Sequence, residues 1–415
     1  MIRVLQIVVF VALVVLAALW LAGVFRVTNN HDFEIFYQAA ERLRAGENIY
    51  AETAAFKEAL EQGTFNLKDE NLRWPYGNPP LLAVLIVPLT FLPYQEAATF
   101  WMWFNAALLL AACAVVLAAI RRLDWAGAVV VLVLLYGFYP ATTCLRLGQT
   151  EILLFLLMAL SFLALKRGRD TWAGAALGLA AAIKFFPVAF IVFLLWKRKW
   201  KAALWGIGVA VVAFGASVIL VGPENFAAYT QAWSVYTGGA FSAFPLNQSL
   251  NGFFSRLFRP NVFEPTLRNL DLPGLATALW LGSAAVLGAA LAWVTRKPMD
   301  VRAERFDLEF SAAIMVLLLA EPHSQAYAFV WVLLPLIVLA CRIVTARRWS
   351  WPEVVALAAG YFMLGRQWLR LPPIPVRFVR SHILFGALAL AALVFYALWK
   401  SRGEAFAQAG QGGEG

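Results

Sequence analysis

Val4 to Phe25 reads VLQIVVFVALVVLAALWLAGVF, 22 residues with no charge and with Gln6 as the one strongly polar side chain. A helix needs about 20 apolar residues to cross roughly 30 Å of hydrocarbon, so this stretch reads as a transmembrane helix. It follows a single basic residue, Arg3, and no small-x-small cleavage site closes it before Arg26. It is also longer than the roughly 7–15-residue apolar core of a cleavable signal peptide. The expectation is a first span that stays attached.

Runs of the same kind recur along the chain. Long ones cover 97–120, 202–221, 275–295, 326–345 and 381–399, and slightly shorter ones 126–140, 150–165, 307–321 and 353–369. Residues 171–196 are apolar apart from Lys184, which is followed by Phe185, Phe186 and Pro187; they read as one kinked helix or a hairpin of two short ones. Leu81–Leu92, bracketed by Pro79-Pro80 and Pro93, reads as re-entrant or spanning. Over all 415 residues, 62% are hydrophobic and 14% charged. Soluble domains average about 45–50% apolar and about 25% charged. This chain has too little polar surface for a water-soluble globule. That excludes a soluble enzyme, a nucleic-acid-binding domain and a disordered scaffold.

The net charge of +10 is then a statement about orientation, because short cytoplasmic loops hold the Lys/Arg excess. The clusters are Arg121-Arg122, Lys166-Arg167-Arg169, Lys197-Arg198-Lys199-Lys201, Arg296-Lys297 with Arg302 and Arg305, Arg347-Arg348, and Lys400-Arg402. All fall on one side if 81–92 is re-entrant and 171–196 turns at Lys184. The expected fold is therefore all-α and polytopic, with about twelve spans and both termini cytoplasmic. Residues 1–403 form one integral-membrane domain, and the Gly-rich 404–415 is expected to be a flexible cytoplasmic tail. Cys113, Cys144 and Cys341 lie far apart in or beside apolar runs and read as small core residues.

This topology leaves the long loops 27–80 and 222–274 and the turn Glu321-Pro322-His323-Ser324-Gln325 facing outward, with 366–380 beside them. In the first loop, Phe33, Phe36, Ala40 and Leu43 recur at helical spacing, which predicts an amphipathic interfacial helix stopped at Gly46. Asp32 stands at its expected N-cap, a role worth only about 1 kcal/mol. A second phrase, Arg73-Trp74-Pro75-Tyr76-Gly77-Asn78-Pro79-Pro80, returns the chain to the membrane. Prolines there suit a helix start, and the aromatic rings suit the headgroup belt.

The phrases Asp32-Phe33 with Tyr37, Ala39 and Ala40, then Tyr76 with Pro79-Pro80, are followed in order by four others. These are Arg146-Leu147-Gly148-Gln149-Thr150-Glu151, Ala182-Ile183-Lys184-Phe185-Phe186-Pro187, Asn247-Gln248-Ser249-Leu250-Asn251-Gly252 and Glu321-Pro322-His323-Ser324. The ordered set covers residues 32 to about 335 and resembles the polyprenyl-phosphate-mannose-dependent glycosyltransferases of family 87. Gln149-Thr150-Glu151 departs from the family's usual Gly-Gln-x-Asn, so no role is carried over to Glu151. The resemblance implies a GT-C fold with its active site at the outer face of the cell membrane and a lipid-phosphate-linked sugar, usually mannose, as donor. The acceptor would be a lipid or glycan hydroxyl, and the surrounding partners membrane lipids. No nucleotide-binding glycine loop is present, in keeping with a lipid-linked donor, and no cofactor or nucleic-acid partner is implied.

Such a transfer needs a base for the acceptor proton, a cation for the departing phosphate and a groove for the lipid. The resemblance carries the catalytic aspartate of the first outer loop onto Asp32. His323, in the outward polar turn, is the second catalytic candidate, donating to the phosphate or orienting the acceptor. Lys184 is the first phosphate candidate, since a charge at mid-membrane costs about 2.5–3.5 kcal/mol; Arg146 and Arg256 are the others. Tyr37, Arg73, Gln149, Asn247, Gln248 and Glu321 complete the expected substrate-binding set. His31 and His382 read as local polar decoration and an interfacial residue. No metal-ligand spacing is evident, and metal-independent catalysis is expected.

Three other readings compete. A lipid or saccharide transporter or flippase would show internal repeats with paired broken helices, and none is convincing. A non-catalytic assembly subunit leaves Asp32, Lys184 and His323 unrelated. A surface-polysaccharide polymerase or ligase would share lipid-linked substrates on a different outer loop.

Overall fold

In hydrocarbon every backbone N–H and C=O must be satisfied within the segment, which a helix achieves. The computed structural model describes residues 2–26, 28–62, 64, 73–237, 239–261, 263, 270–298, 300–346, 350–365 and 380–411. These form eighteen α-helices. They are α1 (Ile2–Arg26), α2 (His31–Ala45), α3 (Thr53–Glu61), α4 (Pro80–Ile86), α5 (Tyr94–Ala119), α6 (Trp125–Leu135), α7 (Tyr139–Leu147), α8 (Glu151–Lys166) and α9 (Asp170–Ile183). Then come α10 (Val188–Trp196), α11 (Trp200–Val221), α12 (Pro223–Thr237), α13 (Leu250–Phe258), α14 (Pro273–Val294), α15 (Glu304–Ala320), α16 (Leu333–Thr345), α17 (Trp351–Gly365) and α18 (His382–Gln411). Short 3₁₀ segments occupy Val87–Phe91, Gly239–Ala243 and Ala326–Val332. An all-α polytopic membrane protein is the result.

Every one of the twelve expected spans contains a helix, but their lengths differ. Five are long and apolar enough to cross alone: α5, α11, α14, Ala326–Thr345 and His382–Ser401. Two bent pairs pass only when taken together, the end of α1 with α2 at 60° and α6 with α7 at 67°, giving up to seven. Residues 80–91 form a 12-residue helical segment, too short to span, and it packs beneath α2. The apolar stretch 171–196 does break at Lys184, between α9 and α10. Arg347-Arg348 and 366–379, with Pro372-Pro373 and Pro375, lie outside the described residues, as does 412–415 of the expected tail.

The centre of the bundle is α8, α15, α16 and the 3₁₀ segment Ala326–Val332, where side chains such as Phe155, Phe310, Ile314 and Leu334 are fully buried. α11 and α14 lie at the periphery with most of their surface exposed, as lipid-facing helices should. Where α9 crosses α11, glycines permit close approach. A Cβ at Gly174 would stand 2.0 Å from the Ala202 carbonyl, and one at Gly178 would stand 2.4 Å from that of Gly206.

Charge sits at opposite ends of the central helices. Lys166 closes α8 and bonds Asp307 near the start of α15 at 2.5 Å, while Lys197 meets Glu309 at 2.8 Å and Arg305 meets Glu309 at 3.1 Å. At the other ends of the same two helices stand Glu151 and Glu321. A 16-residue helix is about 24 Å long, so two polar layers are separated by an apolar middle.

Replacing Gly174 with leucine is expected to lower the thermal midpoint in detergent, since overpacking costs about 1–3 kcal/mol. Gly208, on α11 with no atom within 4 Å of a would-be Cβ, should accept leucine with little change. Equal effects at the two positions would contradict this packing.

Candidate active site

The site is built around a glycine. α7 ends because Gly148 adopts φ +73° and the N–H of Gln149 turns back to the Cys144 carbonyl at 3.0 Å. A Cβ at 148 would lie 2.6 Å from the Cβ of Phe33, so glycine is required by both torsion and space. Just upstream, the Arg146 carbonyl accepts the N–H groups of Asn29 and Asn30 at 3.2 and 3.0 Å, docking the start of α2 on the end of α7. Asn30, at φ 49°, is the residue that caps α2, which corrects the expected cap at Asp32. Asp32 lies inside the first turn instead. Its carboxylate accepts the Gln149 amide at 2.6 Å and faces the His31 ring at 3.4 Å. As predicted, Phe33, Phe36 and Ala40 are buried beneath α2 and Gly46 ends the helix at φ 75°.

Lys184 occupies the break between α9 and α10. Its backbone is extended (φ −148°, ψ 131°) and Pro187 follows, so the helix cannot continue through it. The ammonium is paired with the carboxylate of Glu151, the first residue of α8, and lies 5.5 Å from the centre of the Tyr327 ring. Glu151 is only 1% exposed.

The third component is the turn 321–325. Asn247 and Asn251 donate to the Pro322 carbonyl at 3.1 and 2.9 Å, and the Gln248 N–H donates to the Ser324 carbonyl at 2.7 Å. This clamp fixes Glu321, which is buried, and His323. Burial, aided by the Lys184 cation, pushes the His323 pKa down to about 3, so the imidazole is neutral near pH 7. Its Nε2 is 2.8 Å from the Gln325 amide nitrogen. With that amide donating, the ring proton sits on Nδ1, which is buried and makes no hydrogen bond among the described residues.

Asp32, Gln149, Glu151, Lys184, Glu321 and His323 line one cavity of about 260 Å³. Aromatic walls from Trp74, Trp233, Tyr236, Tyr327 and Trp331 close round it, with Phe185 and Phe186 beside Trp233 at 5.6 and 5.8 Å between ring centres. It combines a carboxylate, a cation and stacking surfaces, the groups needed to accept a proton, hold a phosphate and seat a sugar. Among the described residues no group of three or more His, Cys, Asp or Glu side chains is arranged to hold a metal ion.

The remaining expected residues do not line the cavity. Arg256, 1% exposed, gives its guanidinium to the carbonyls of Phe244 and Asn247 and to the Ser381 hydroxyl, so it braces the 222–274 segment rather than a ligand. The Tyr37 hydroxyl donates to the Leu92 carbonyl, tying α2 to the segment after α4. Asn247 and Gln248 organise the 321–325 turn from behind, Gln248 also bonding the Arg380 carbonyl at 2.7 Å. Arg146 acts on the site through its carbonyl, and Arg73 is exposed at the surface. His382 is buried, and its ring nitrogen Nδ1 lies 2.7 Å from the Met363 carbonyl oxygen. Glu151, to which the sequence assigned no role, lines the cavity and pairs with Lys184. The available signal was charge balance: an acid heading an apolar helix and a lysine interrupting another are each costly alone and tolerable as a pair.

The sequence profile described as Glycosyltransferase family 87 matches residues 76–322. A polyprenol-phosphate-mannose-dependent alpha-(1-2)-phosphatidylinositol mannoside mannosyltransferase of Mycobacterium tuberculosis (strain ATCC 25618 / H37Rv) is 23% identical over 383 residues, 88% of this chain and 82% of its own length. The protein of the same description in Mycolicibacterium smegmatis (strain ATCC 700084 / mc(2)155) is 23% identical over 398 residues, 90% of this chain and 82% of its own. A pentamannoside mannosyltransferase with the same donor description, from Mycobacterium tuberculosis (strain CDC 1551 / Oshkosh), is 27% identical over 268 residues, 64% of this chain and 58% of its own. No solved structure gives a significant match. The profile match spans more than half of the chain, and the chain belongs to glycosyltransferase family 87.

Proposed function

We propose that the chain transfers a mannosyl group from a polyprenyl-phosphate donor to a lipid or glycan hydroxyl at the outer face of the membrane. The observation that carries this reading is the convergence of Asp32, Lys184 and His323 on one cavity from three separate parts of the sequence. The donor class is that named for the relatives, whose described acceptors are phosphatidylinositol mannosides. A GT-C type arrangement, with one membrane domain over 1–403 and both termini cytoplasmic, belongs to the proposal. Its support is the separation of the Lys166, Lys197 and Arg305 layer from the cavity by the length of α8 and α15.

In the proposed reaction the acceptor oxygen forms a bond to C1 of the sugar as the bond from C1 to the phosphate oxygen breaks. The electron pair of that bond leaves with the phosphate, and the acceptor proton passes to Asp32. Gln149 holds the Asp32 carboxylate in place through its amide. Lys184 supplies positive charge to the departing phosphate, and neutral His323 offers an N–H without bringing a second cation. Phe185, Phe186 and Trp233 give the apolar side along which the first units of the lipid lie.

The test is transfer from radiolabelled polyprenyl-phosphate-mannose in membrane fractions. Asp32→Asn is expected to lower the rate by about 10²–10⁴-fold, the usual contribution of a general base, and Lys184→Gln to raise the KM for donor. Undiminished transfer by Asp32→Asn would overturn the base assignment.

A pH dependence follows from His31. Its hydrogen bond to Asp32 holds its pKa above the usual 6.5, the charges of Asp32 and Glu34 adding to this while burial opposes it. Below that raised pKa the imidazolium occupies the Asp32 carboxylate; as pH rises through it the cation is lost and the base is released. The rate should therefore climb with pH through a midpoint above 6.5, and this limb should vanish near neutrality in His31→Asn. An unmoved limb in that variant would contradict the pairing.

A further inference from the structure

The cavity sets a second carboxylate, Glu151, against the cation that the proposed phosphate needs. Asp32, Glu151 and Glu321 all line it, while Lys184 is the lysine or arginine among the described lining residues. Asp32 is engaged by Gln149 and belongs to the proton transfer. Glu151 has no part in that step, yet it is placed on the cation that the phosphate needs. One of its oxygens meets the Lys184 ammonium; the other, Oε2, is buried without a hydrogen-bond partner among the described residues. An unpartnered carboxylate oxygen is costly to bury, so its retention beside the phosphate position needs a reason.

The chemistry of the phosphate supplies one. The sugar-bearing donor is a phosphodiester with a single negative charge. When the bond to C1 breaks, its electron pair stays on the phosphate oxygen, and the spent lipid is a monoester carrying about −1.5 to −2 near pH 7. Repulsion by a fixed carboxylate scales with the charge it meets. Glu151 therefore disfavours the product about twice as strongly, in free energy, as the donor. It also shares Lys184, which keeps the lysine from gripping the dianion.

We propose that Glu151 is a specificity-determining residue that discriminates the spent lipid monophosphate from the sugar-bearing phosphodiester and so speeds product release. The inference rests on the proposed donor class and concerns the same cavity. It assigns Glu151 no proton to move and no bond to make.

The test compares two lipids on the purified full chain, polyprenyl monophosphate and the methyl phosphodiester of the same polyprenol, as inhibitors at mildly alkaline pH. The wild-type protein should bind the diester more tightly. In Glu151→Gln, binding of the monophosphate should tighten by about tenfold more than binding of the diester, while Glu151→Asp keeps the wild-type ratio. A general loss of structure would weaken both lipids together and leave the ratio alone. Tighter binding of the monophosphate by wild type, or an unchanged ratio in Glu151→Gln, overturns the proposal. Because the wild-type comparison needs no variant, it stands even where Glu151→Gln fails to fold. Transfer from polyprenyl-phosphate-mannose, measured beside it, reports separately on the proposed reaction.

Discussion

A lysine set into an apolar stretch must find a counter-charge, and the arrangement of the site-bearing end of this protein follows from how Lys184 finds one. Left alone at mid-membrane it would cost about 2.5–3.5 kcal/mol. The chain avoids this by breaking the helix at Lys184, extending the backbone there, and bringing the ammonium to Glu151 at the head of α8. A buried ion pair is a poor device for stability alone, because well-packed apolar residues in its place are often neutral or better by about 1–4 kcal/mol. Its presence in the wall of a cavity points instead to chemistry with an anion.

The other parts of the site are delivered by helix ends as well. Gly148 ends α7 and turns Gln149 toward Asp32; the end of α15 sets Glu321 and His323, and the loop before α13 clamps them through Asn247 and Asn251. Helix ends are where a membrane protein can expose polar groups without leaving backbone unsatisfied. The long rigid interior of α8 and α15 holds these ends in register, and the ion pairs of Lys166 and Lys197 anchor the far side.

Much of this was legible in the sequence because membranes enforce simple patterns. Apolar runs of sufficient length placed the helices, Gly46 and the amphipathic spacing placed α2, and the isolated Lys184 marked a break. Asp32, Gln149, Lys184, Glu321 and His323 were all named from their phrases, and all line the cavity. What could not be read was direction. Arg256 carries the same charge as Lys184, but its donors go to backbone carbonyls, and nothing in its neighbours along the chain tells the two cases apart. The cap of α2 fell at Asn30 rather than Asp32 because the docking of Asn29 and Asn30 onto Arg146 depends on a residue more than a hundred positions away. Glu151 was given no role because it stands where the family pattern has Asn, and its pairing with Lys184, 33 residues away, is not visible along the chain.

In the proposed reaction a lipid-linked sugar phosphate lies in this cavity between Lys184 and Asp32. A structure with a non-transferable donor, in which a methylene replaces the oxygen joining sugar and phosphorus, tests it most directly. The phosphonate should lie within hydrogen-bonding distance of the Lys184 ammonium, with C1 of the sugar toward the Asp32 carboxylate and the lipid leaving past Phe185 and Trp233. A donor bound elsewhere, with the Lys184–Glu151 pair unvisited, would contradict it.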